Sequence, residues 1–477
     1  MNLPKSFKTP ALILAALIGL TVLAAIALSL FWDLNAHKPR LEAAASKIAG
    51  MDVRIDGRIG IAFFPGVALT LEDVHVHNRG TEIATTRKAR IGVDFMALLR
   101  RDTQLRHIAL TQPVISIERD REGRYNYERP EHIRRSLPDL RLAKILIADG
   151  TLRYRDPRSG RHIEATACGL EARDVALTGR QTPGILKQLS VAADLACKTV
   201  RTNDYAAADL NTTVAGQNGV FNIEPLTLRL FDGQGTGRLR ADFTQALPRY
   251  DLNYTLTQFR LEALLKTLSP QSVPQGAVDL AARMTMQGRS VKKLKQTLAG
   301  EVTMRGTDLV FNGRDLDEAF DHFESSQSFN LVDVGAVFLA GPLGLAVTKG
   351  YNFASILHGS EGRSEIRTLV SDWTVERGIA RSQDVAIATR RHRVALQGRL
   401  DFVNQRFDGV TVALIDAKGC IRAQQTIHGP FRQPVVEKTS TLKALTGPVV
   451  RLFKQVGALF PGGACEVFYA GSVAPPK

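Results

Sequence analysis

Two periodicities divide this chain. Residues 41–48 put Leu41, Ala44, Ala45 and Ile48 on one helical stripe that stops at Gly50, a common C-terminal signal. Beyond it the period drops from 3.6 to 2. Val53 and Ile55 alternate with Arg54 and Asp56, Ile59, Ile61 and Phe63 resume after an Asp56-Gly57 turn, and Leu69 and Leu71 alternate with Thr70 and Glu72. Such alternation marks half-buried strands with one apolar face. It recurs at Ile115/Ile117, Leu226/Leu228/Leu230, Leu239/Ala241/Phe243, Leu252/Tyr254/Leu256, Val385/Ile387, Leu400/Phe402 and Val410/Val412/Leu414. Asp149-Gly150, Asp232-Gly233, Asn312-Gly313 and Asp408-Gly409 read as the turns between strands. The pattern predicts a mainly β chain built on antiparallel pairing.

Helical stretches are few: 41–48, 261–268, 316–323 and 442–460. A sheet with one apolar face must cover it with helices, with a second sheet, by closing into a barrel, or with an apolar ligand. These helices are too few to cover so many strands. Either the strands fold into two or three globular sandwiches, or they form an elongated, curved antiparallel sheet whose open face is a groove suited to acyl chains.

The N-terminus adds a membrane to the picture. After a tail carrying Lys5 and Lys8, residues 10–32 hold no charge, and only Thr21 and Ser29 interrupt the aliphatic sequence. About 20 such residues span a bilayer, whereas a cleaved signal has a shorter apolar stretch and a small-residue cleavage site. Phe31 and Trp32 suit an aromatic belt, and the lysines favour a cytoplasmic tail. Residues 33–477 are then expected outside the inner membrane. The chain carries a net charge of +15. Beside a membrane that charge points to phospholipid headgroups, not nucleic acid. Four cysteines fit an oxidising compartment. They allow three connectivities, and proximity favours Cys168 with Cys197 and Cys420 with Cys465.

Candidate chemistry is sparse. There is no C-x-x-C, G-x-S-x-G, H-E-x-x-H or Walker sequence, and nothing nominates a catalytic residue, a cofactor or a metal. His75 and His77 share one strand face, which reads as solvent-exposed in the absence of a third ligand. Gly233-Gln234-Gly235-Thr236-Gly237 lies between two alternating strands and reads as part of a hairpin rather than a phosphate loop. Between Arg79 and Arg161, 17 Arg and 2 Lys stand against 11 acids, which suits either a salt-bridged strand face or headgroup attraction. In residues 442–460, Leu445, Val449, Leu452, Phe453 and Val456 share a helical stripe, with Lys443, Arg451 and Lys454 elsewhere. That stripe suits a membrane surface, an apolar groove or the domain's own core equally. Residues 334–347 are apolar but too short to span a bilayer, and read as buried or membrane-dipping.

Several segments resemble the opening of AsmA-family proteins: Arg40-Leu41-Glu42, Asp52-Val53-Arg54-Ile55-Asp56-Gly57 and Phe64-Pro65-Gly66-Val67-Ala68-Leu69-Thr70-Leu71-Glu72-Asp73-Val74. Pro113-Val114-Ile115-Ser116-Ile117-Glu118-Arg119-Asp120 and Gly123-Arg124-Tyr125-Asn126-Tyr127 resemble that family's next strand and turn. Gly419-Cys420, Gly429-Pro430-Phe431 and Cys465-Glu466-Val467-Phe468-Tyr469-Ala470-Gly471-Ser472-Val473 resemble its C-terminal domain. The likeness covers about the first 130 and the last 200 residues, and the middle is similar only in style.

The resemblance implies an inner-membrane protein of the Gram-negative envelope with a periplasmic β-groove similar to chorein-type bridge-like lipid transfer proteins. Such proteins are implicated in phospholipid movement toward the outer membrane. The expected layout is a cytoplasmic tail (1–9), a single-pass anchor (10–32), an N-terminal groove region (33–135), a middle β region (136–268) and a C-terminal domain (269–477) carrying the helix at 442–460. Acyl chains are expected against Ile59, Ile61, Leu69, Leu71, Ile115, Ile117, Leu226, Leu228, Leu239 and Leu400, and no enzymatic activity is expected. Some 20 strands at about 4.8 Å give a ribbon of roughly 100 Å. The alternative is an anchored scaffold or outer-membrane protein assembly factor, with other envelope proteins as its partners.

Overall fold

The structure, a computed structural model, describes residues 34–62, 68–93, 105–128, 140–177, 185–267, 274–312, 315–326, 331–334, 362–437, 440–441 and 465–476. The fold is mainly β, with open mixed sheet and few helices, and divides into two compact units.

The first unit runs to Asn203 and takes in Ala208–Gly219. Helix α1 (Lys38–Ala49) fills the expected helical stretch, with Gly50 in the left-handed conformation at its end. The strands are β1 (Asp52–Ile55), β2 (Ile59–Ala62), β3 (Ala68–Asn78), β4 (Thr81–Val93), β5 (Leu105–Glu118), β6 (Leu140–Asp156), β7 (Arg161–Leu177), β8 (Leu189–Thr202) and β9 (Ala206–Gln217). A short helix, α2 (Ile185–Gln188), precedes β8. β1 and β2 both pair with β3, so the chain kinks at Asp56-Gly57 instead of reversing. The Gly57 amide donates to the Glu72 carbonyl at 3.1 Å, and a Cβ there would meet that carbonyl at 2.6 Å.

β3, β4 and β5 pair antiparallel in chain order, but β5 and β6 are parallel, with Ile108 opposite Ile145 and Ile115 opposite Leu152. The expected antiparallel sheet is thus a mixed one, antiparallel except at this junction among the described pairings. Residues 119–139 separate the two strands, enough chain for the return crossover that parallel strands require. Within it, Asn126 donates to the Ser116 carbonyl at 2.7 Å and accepts from the Glu118 amide at 3.1 Å, and Asn78 donates to the Asn126 carbonyl at 2.7 Å. The Gly123–Tyr127 turn is thereby fastened to β5 and β3.

The second unit comprises Asp204–Ala207 and the chain from Val220. Its strands are β10 (Val220–Leu230), β11 (Gly233–Asp242), β12 (Arg249–Arg260), β13 (Ala277–Gln287), β14 (Ala299–Asn312), β15 (Arg363–Glu376), β16 (Ile379–Ala388), β17 (Arg393–Asp401), β18 (Arg406–Ile415), β19 (Ile421–Pro430), β20 (Val435–Val436) and β21 (Ser440–Thr441). From β10 to β19 each pairs antiparallel with the next, and β20 and β21 both pair with β19. The helices are α3 (Leu261–Leu265), α4 (Val291–Thr297), α5 (Leu316–Ser326) and α6 (Leu331–Val334). α4 lacks an apolar stripe; its signal is the cap, Ser290 Oγ accepting from the Lys293 amide at 3.3 Å.

Single residues with positive φ interrupt many strands, among them Asp73 (48°), Gln112 (49°), Asp149 (55°) and Gln258 (53°). A bulge inserts one residue and shifts which parity faces inward. Asp149-Gly150 therefore lies inside β6 and Asp408-Gly409 inside β18, where turns were expected, while Asp232-Gly233 joins β10 to β11.

The largest core sits on the inward face of β12–β19, where α3 contributes Leu261 and Leu264 and α5 and α6 contribute Leu316, Phe320, Phe323, Leu331, Val332 and Val334. The opposite face of these strands buries Val370, Ala386, Ala395 and Ala413 under Tyr469 and Val473 of the segment 465–476. Among the described residues no helix is long and apolar enough to cross a membrane. The expected span at 10–32, the helix at 442–460 with Leu445, Val449, Leu452, Phe453 and Val456, and nearly all of 334–347 lie outside the described residues.

Candidate functional site

In the first unit the pairing register stacks apolar residues into rows that run across the strands. Ile61, Leu69, Ile91, Ile108, Ile145, Ala172 and Ala193 stand opposite one another from β2 to β8. The adjacent row is Ile59, Leu71, Ala89, Leu110, Ile147, Leu170 and Leu195. Ile59 and Leu71 are buried with Val53, Ile55 and Val74, and Leu41 and Ala45 of α1 pack against them. Ile61, Leu69, Ile91, Ile108 and Ile145 are half-buried. Past the bulges, Ile115 faces Ala84 and Leu152, and Ile117 faces Tyr154, itself opposite Ile163. Leu152 is 42% exposed and Ile163 37%, so this end of the apolar face is open to solvent. Cys168 and Cys197 are direct partners on β7 and β8, joined by a disulfide and buried on the same face with Ala165.

The second unit repeats the arrangement. Ile223, Leu239, Leu252, Met284, Gly300, Val375, Ala380, Leu400 and Phe407 form one row from β10 to β18. Ile223, Leu239, Leu252 and Met284 are half-buried, as are Leu226 and Leu228. Val375 is 1% exposed and Leu400 2%. Along this row the face therefore passes from half-buried at β10–β13 to buried at β15–β18, while the other end of β12 and β13 is closed, with Leu256 at 5%, Phe259 at 1% and Val278 at 1% exposed. Leu400, expected to touch a ligand, stands on the inward face but inside the covered core.

The glycine run of β11 belongs to this face. Gly235 and Gly237 stand opposite Leu228 and Leu226, and the Tyr254 ring lies over both. A Cβ at Gly237 would meet Tyr254 Cδ2 at 2.5 Å, and one at Gly235 would collide with the Tyr254 hydroxyl. The glycines make room for an aromatic ring, not a phosphate. The Tyr254 hydroxyl is buried without a hydrogen-bond partner, and burial raises its pKa.

The outward faces are charged and largely self-paired. Arg173 meets Asp194 at 2.7 Å, and within the arginine-rich stretch Lys144 meets Glu171 at 2.8 Å, Arg153 meets Glu164 at 2.9 Å and Arg124 meets Asp120 at 2.9 Å, so part of that stretch is a salt-bridged face. Hydrogen bonding and charge from Lys144 hold the Glu171 carboxyl below its ordinary range. His75 Nδ1 lies 2.8 Å from Glu82 Oε1 on such a face. Among the described residues no group of three or more His, Cys, Asp and Glu is arranged to hold a metal.

A cavity of about 790 Å³ crosses β10–β15 in the second unit, lined by Arg238, Arg240, Asp251, Asn253, Arg283 and Glu301 among others. Its lining also takes in Ile223, Leu239, Leu252, Met284, Gly300 and Val375, so it follows the apolar row itself.

The disulfide Cys420–Cys465 fastens the segment 465–476 to the sheet. Asp384 accepts from the Tyr469 hydroxyl and from the Ser472 amide (3.0 Å) and hydroxyl (2.6 Å). Burial pushes the Asp384 carboxyl up, but the bonds from Ser472 and Tyr469 outweigh it and hold the pKa below its ordinary value. Arg393 donates to the Val473 carbonyl at 2.8 Å and the Asp416 carbonyl at 2.7 Å.

The inward residues that alternation did not single out, such as Ile91, Ile108, Ile145, Ile163 and Met284, lie beyond bulges or in strands with weak alternation. A count that restarts at each Asp or Gln with left-handed backbone would have found several of them.

No curated protein matches the chain. The model of the AsmA family matches two overlapping stretches, residues 3–181 and 137–338. The match takes in the middle of the chain, where the resemblance rested on style alone, and ends before the segments around Cys420 and Cys465. With its greater part matched, from the N-terminus through the half-buried row of β10–β13, the chain belongs to the AsmA family.

Proposed function

We propose that this chain binds and conducts phospholipid acyl chains along its inward apolar faces, anchored in the inner membrane with its bulk in the periplasm and supporting lipid supply to the outer membrane. The observation that carries the reading is the unbroken apolar row that stays half-exposed over several strands, Ile61 to Ile145 in one unit and Ile223 to Met284 in the other. A monomeric soluble protein rarely leaves such a surface uncovered. Burying an acyl CH₂ is worth about 0.8 kcal/mol, so a 16-carbon chain gains roughly 10 kcal/mol before entropic costs. Neighbouring positions are nearly equivalent, which favours sliding over fixed binding. The uncharged run at 10–32 and the two disulfides support the anchor and the oxidising compartment. Family membership is compatible with all of this.

Photocrosslinking side chains at Ile61, Ile117 and Leu228, compared with the outward Arg54 and Arg229, test the reading in cells. Lipid adducts are expected at the first three and not at the two arginines. Equal capture at both sets would reject the groove.

A further inference from the structure

We propose that α5 is a lid on the apolar face of the second unit and that His392 is its proton-operated latch, an inference that rests on the acyl-binding reading of that face. Helix α5 buries Leu316, Phe320 and Phe323, all 0% exposed, against the inward residues Ile366, Leu369 and Ile387. It thereby covers the apolar face at the end of β14 and β15 where Leu309 pairs with Ile366 and the Leu316 amide donates to Ser364 at 2.7 Å.

Its other contacts are polar and concentrated on one side chain. Asp317 and Asp321, one helical turn apart, flank His392 in the turn between β16 and β17. His392 Nδ1 lies 2.9 Å from Asp317 Oδ1, and Nε2 lies 3.1 Å from Asp321 Oδ1. The imidazole is 5% exposed, and the edge of the contact with Phe320 brings the ring centroids to 5.6 Å. A neutral imidazole has one N–H and can satisfy one carboxylate, whereas the imidazolium donates to both.

The two carboxylates are held unequally. Asp317 is buried and also accepts from the Thr389 hydroxyl and, at 3.3 Å, from the Arg391 amide. Asp321 is 48% exposed and has Arg391 Nη1 at 2.9 Å as its other partner. On losing a proton, His392 keeps Asp317 and turns a lone pair toward Asp321, and the second helical turn of α5 loses its buried donor. The other charges nearby are committed elsewhere: Arg390 pairs with Glu365 of β15, and Glu318 pairs with His322 on the solvent side of α5. The α5 lid is therefore tightest when His392 is charged and loosens as it becomes neutral, which uncovers more of the apolar face.

Hydrogen exchange on the full chain reads the lid directly. With intrinsic rates corrected, α5 amides of the wild type are expected to exchange about tenfold faster at about pH 8 than at about pH 5.5. His392→Gln should exchange fast at both values, and Asp321→Asn, which keeps the Asp317 anchorage, should lose the pH dependence. In the same samples, a photocrosslinker at the half-buried Leu280, bound to phosphatidylethanolamine vesicles, should capture more lipid at the higher pH. Wild-type α5 exchange that does not change with pH would overturn the latch. pH-dependent exchange with no lipid captured at either pH would keep the latch and reject the acyl reading on which its purpose rests.

Discussion

Tyr254 shows at the scale of one residue how this face is made. Its ring occupies the space left by Gly235 and Gly237, and its hydroxyl is buried without a partner. An unpaired buried hydroxyl costs about 1–3 kcal/mol. Tyr254→Phe is therefore expected to hold or raise stability by up to about 1 kcal/mol, while Gly235→Ala, which collides with that hydroxyl, should lower it by about 1–3 kcal/mol. The double variant should recover part of the loss, as urea denaturation of the four proteins will show. Additive effects would mean that the glycine answers to something other than the ring. Alternation alone located Leu226, Leu228 and Leu239 on the apolar face, because each lies in a stretch where parity holds. It could not say that Leu400 in the same row would be covered, since burial there comes from a core cluster assembled from distant parts of the chain. Nor could it join the inward sets on either side of Gln112 or Asp149 into one face, because one left-handed residue changes the phase there, although alternation beyond Gln112 still found Ile115 and Ile117.

Among the elements, the segment 465–476 is bound by means of two kinds. The Cys420–Cys465 bond ties its start, and the Asp384 and Arg393 contacts hold the rest. A carboxyl held below its ordinary pKa adds stability above the unfolded value near 4, and that stability is lost as pH falls through the lower folded value. Asp384→Asn should therefore weaken docking of the segment at pH 7 by about 1–3 kcal/mol, and the gap to the wild type should close in acid below about pH 3. Limited proteolysis at a series of pH values, with the disulfide intact, gives the comparison. A deficit that persists in acid would mean the carboxylate's charge is not what holds the segment. The cysteine pairs were suggested by closeness in sequence, and the structure joins the same pairs. The parallel step from β5 to β6 was not readable, because apolar alternation is the same in either direction and the direction is set by the crossover.

For the molecule as a whole, the proposed anchor and the proposed grooves are expected to make separable contributions. Deleting residues 1–32 is expected to move the chain from the membrane to the soluble periplasmic fraction when a cleavable secretion signal replaces them. The freed protein should still carry lipid, measured by mass spectrometry of gentle extracts. Loss of lipid together with the anchor would place the lipid at the membrane segment and not on the sheet. Composition told little about this division, and the charge of +15 became informative only beside the uncharged run at 10–32.

Apart from the crossover at 119–139, strand pairing within each unit follows chain order almost throughout. Each strand then depends chiefly on the two beside it, as in stacked repeat proteins. Such a molecule can be lengthened or shortened by whole hairpins without redesigning what remains. Gene duplication of a two-strand unit would extend the sheet by about 10 Å while keeping the apolar rows in register. The number of strands is thus a quantity that evolution can adjust in even steps, and the one parallel junction is where such an edit would be least tolerated.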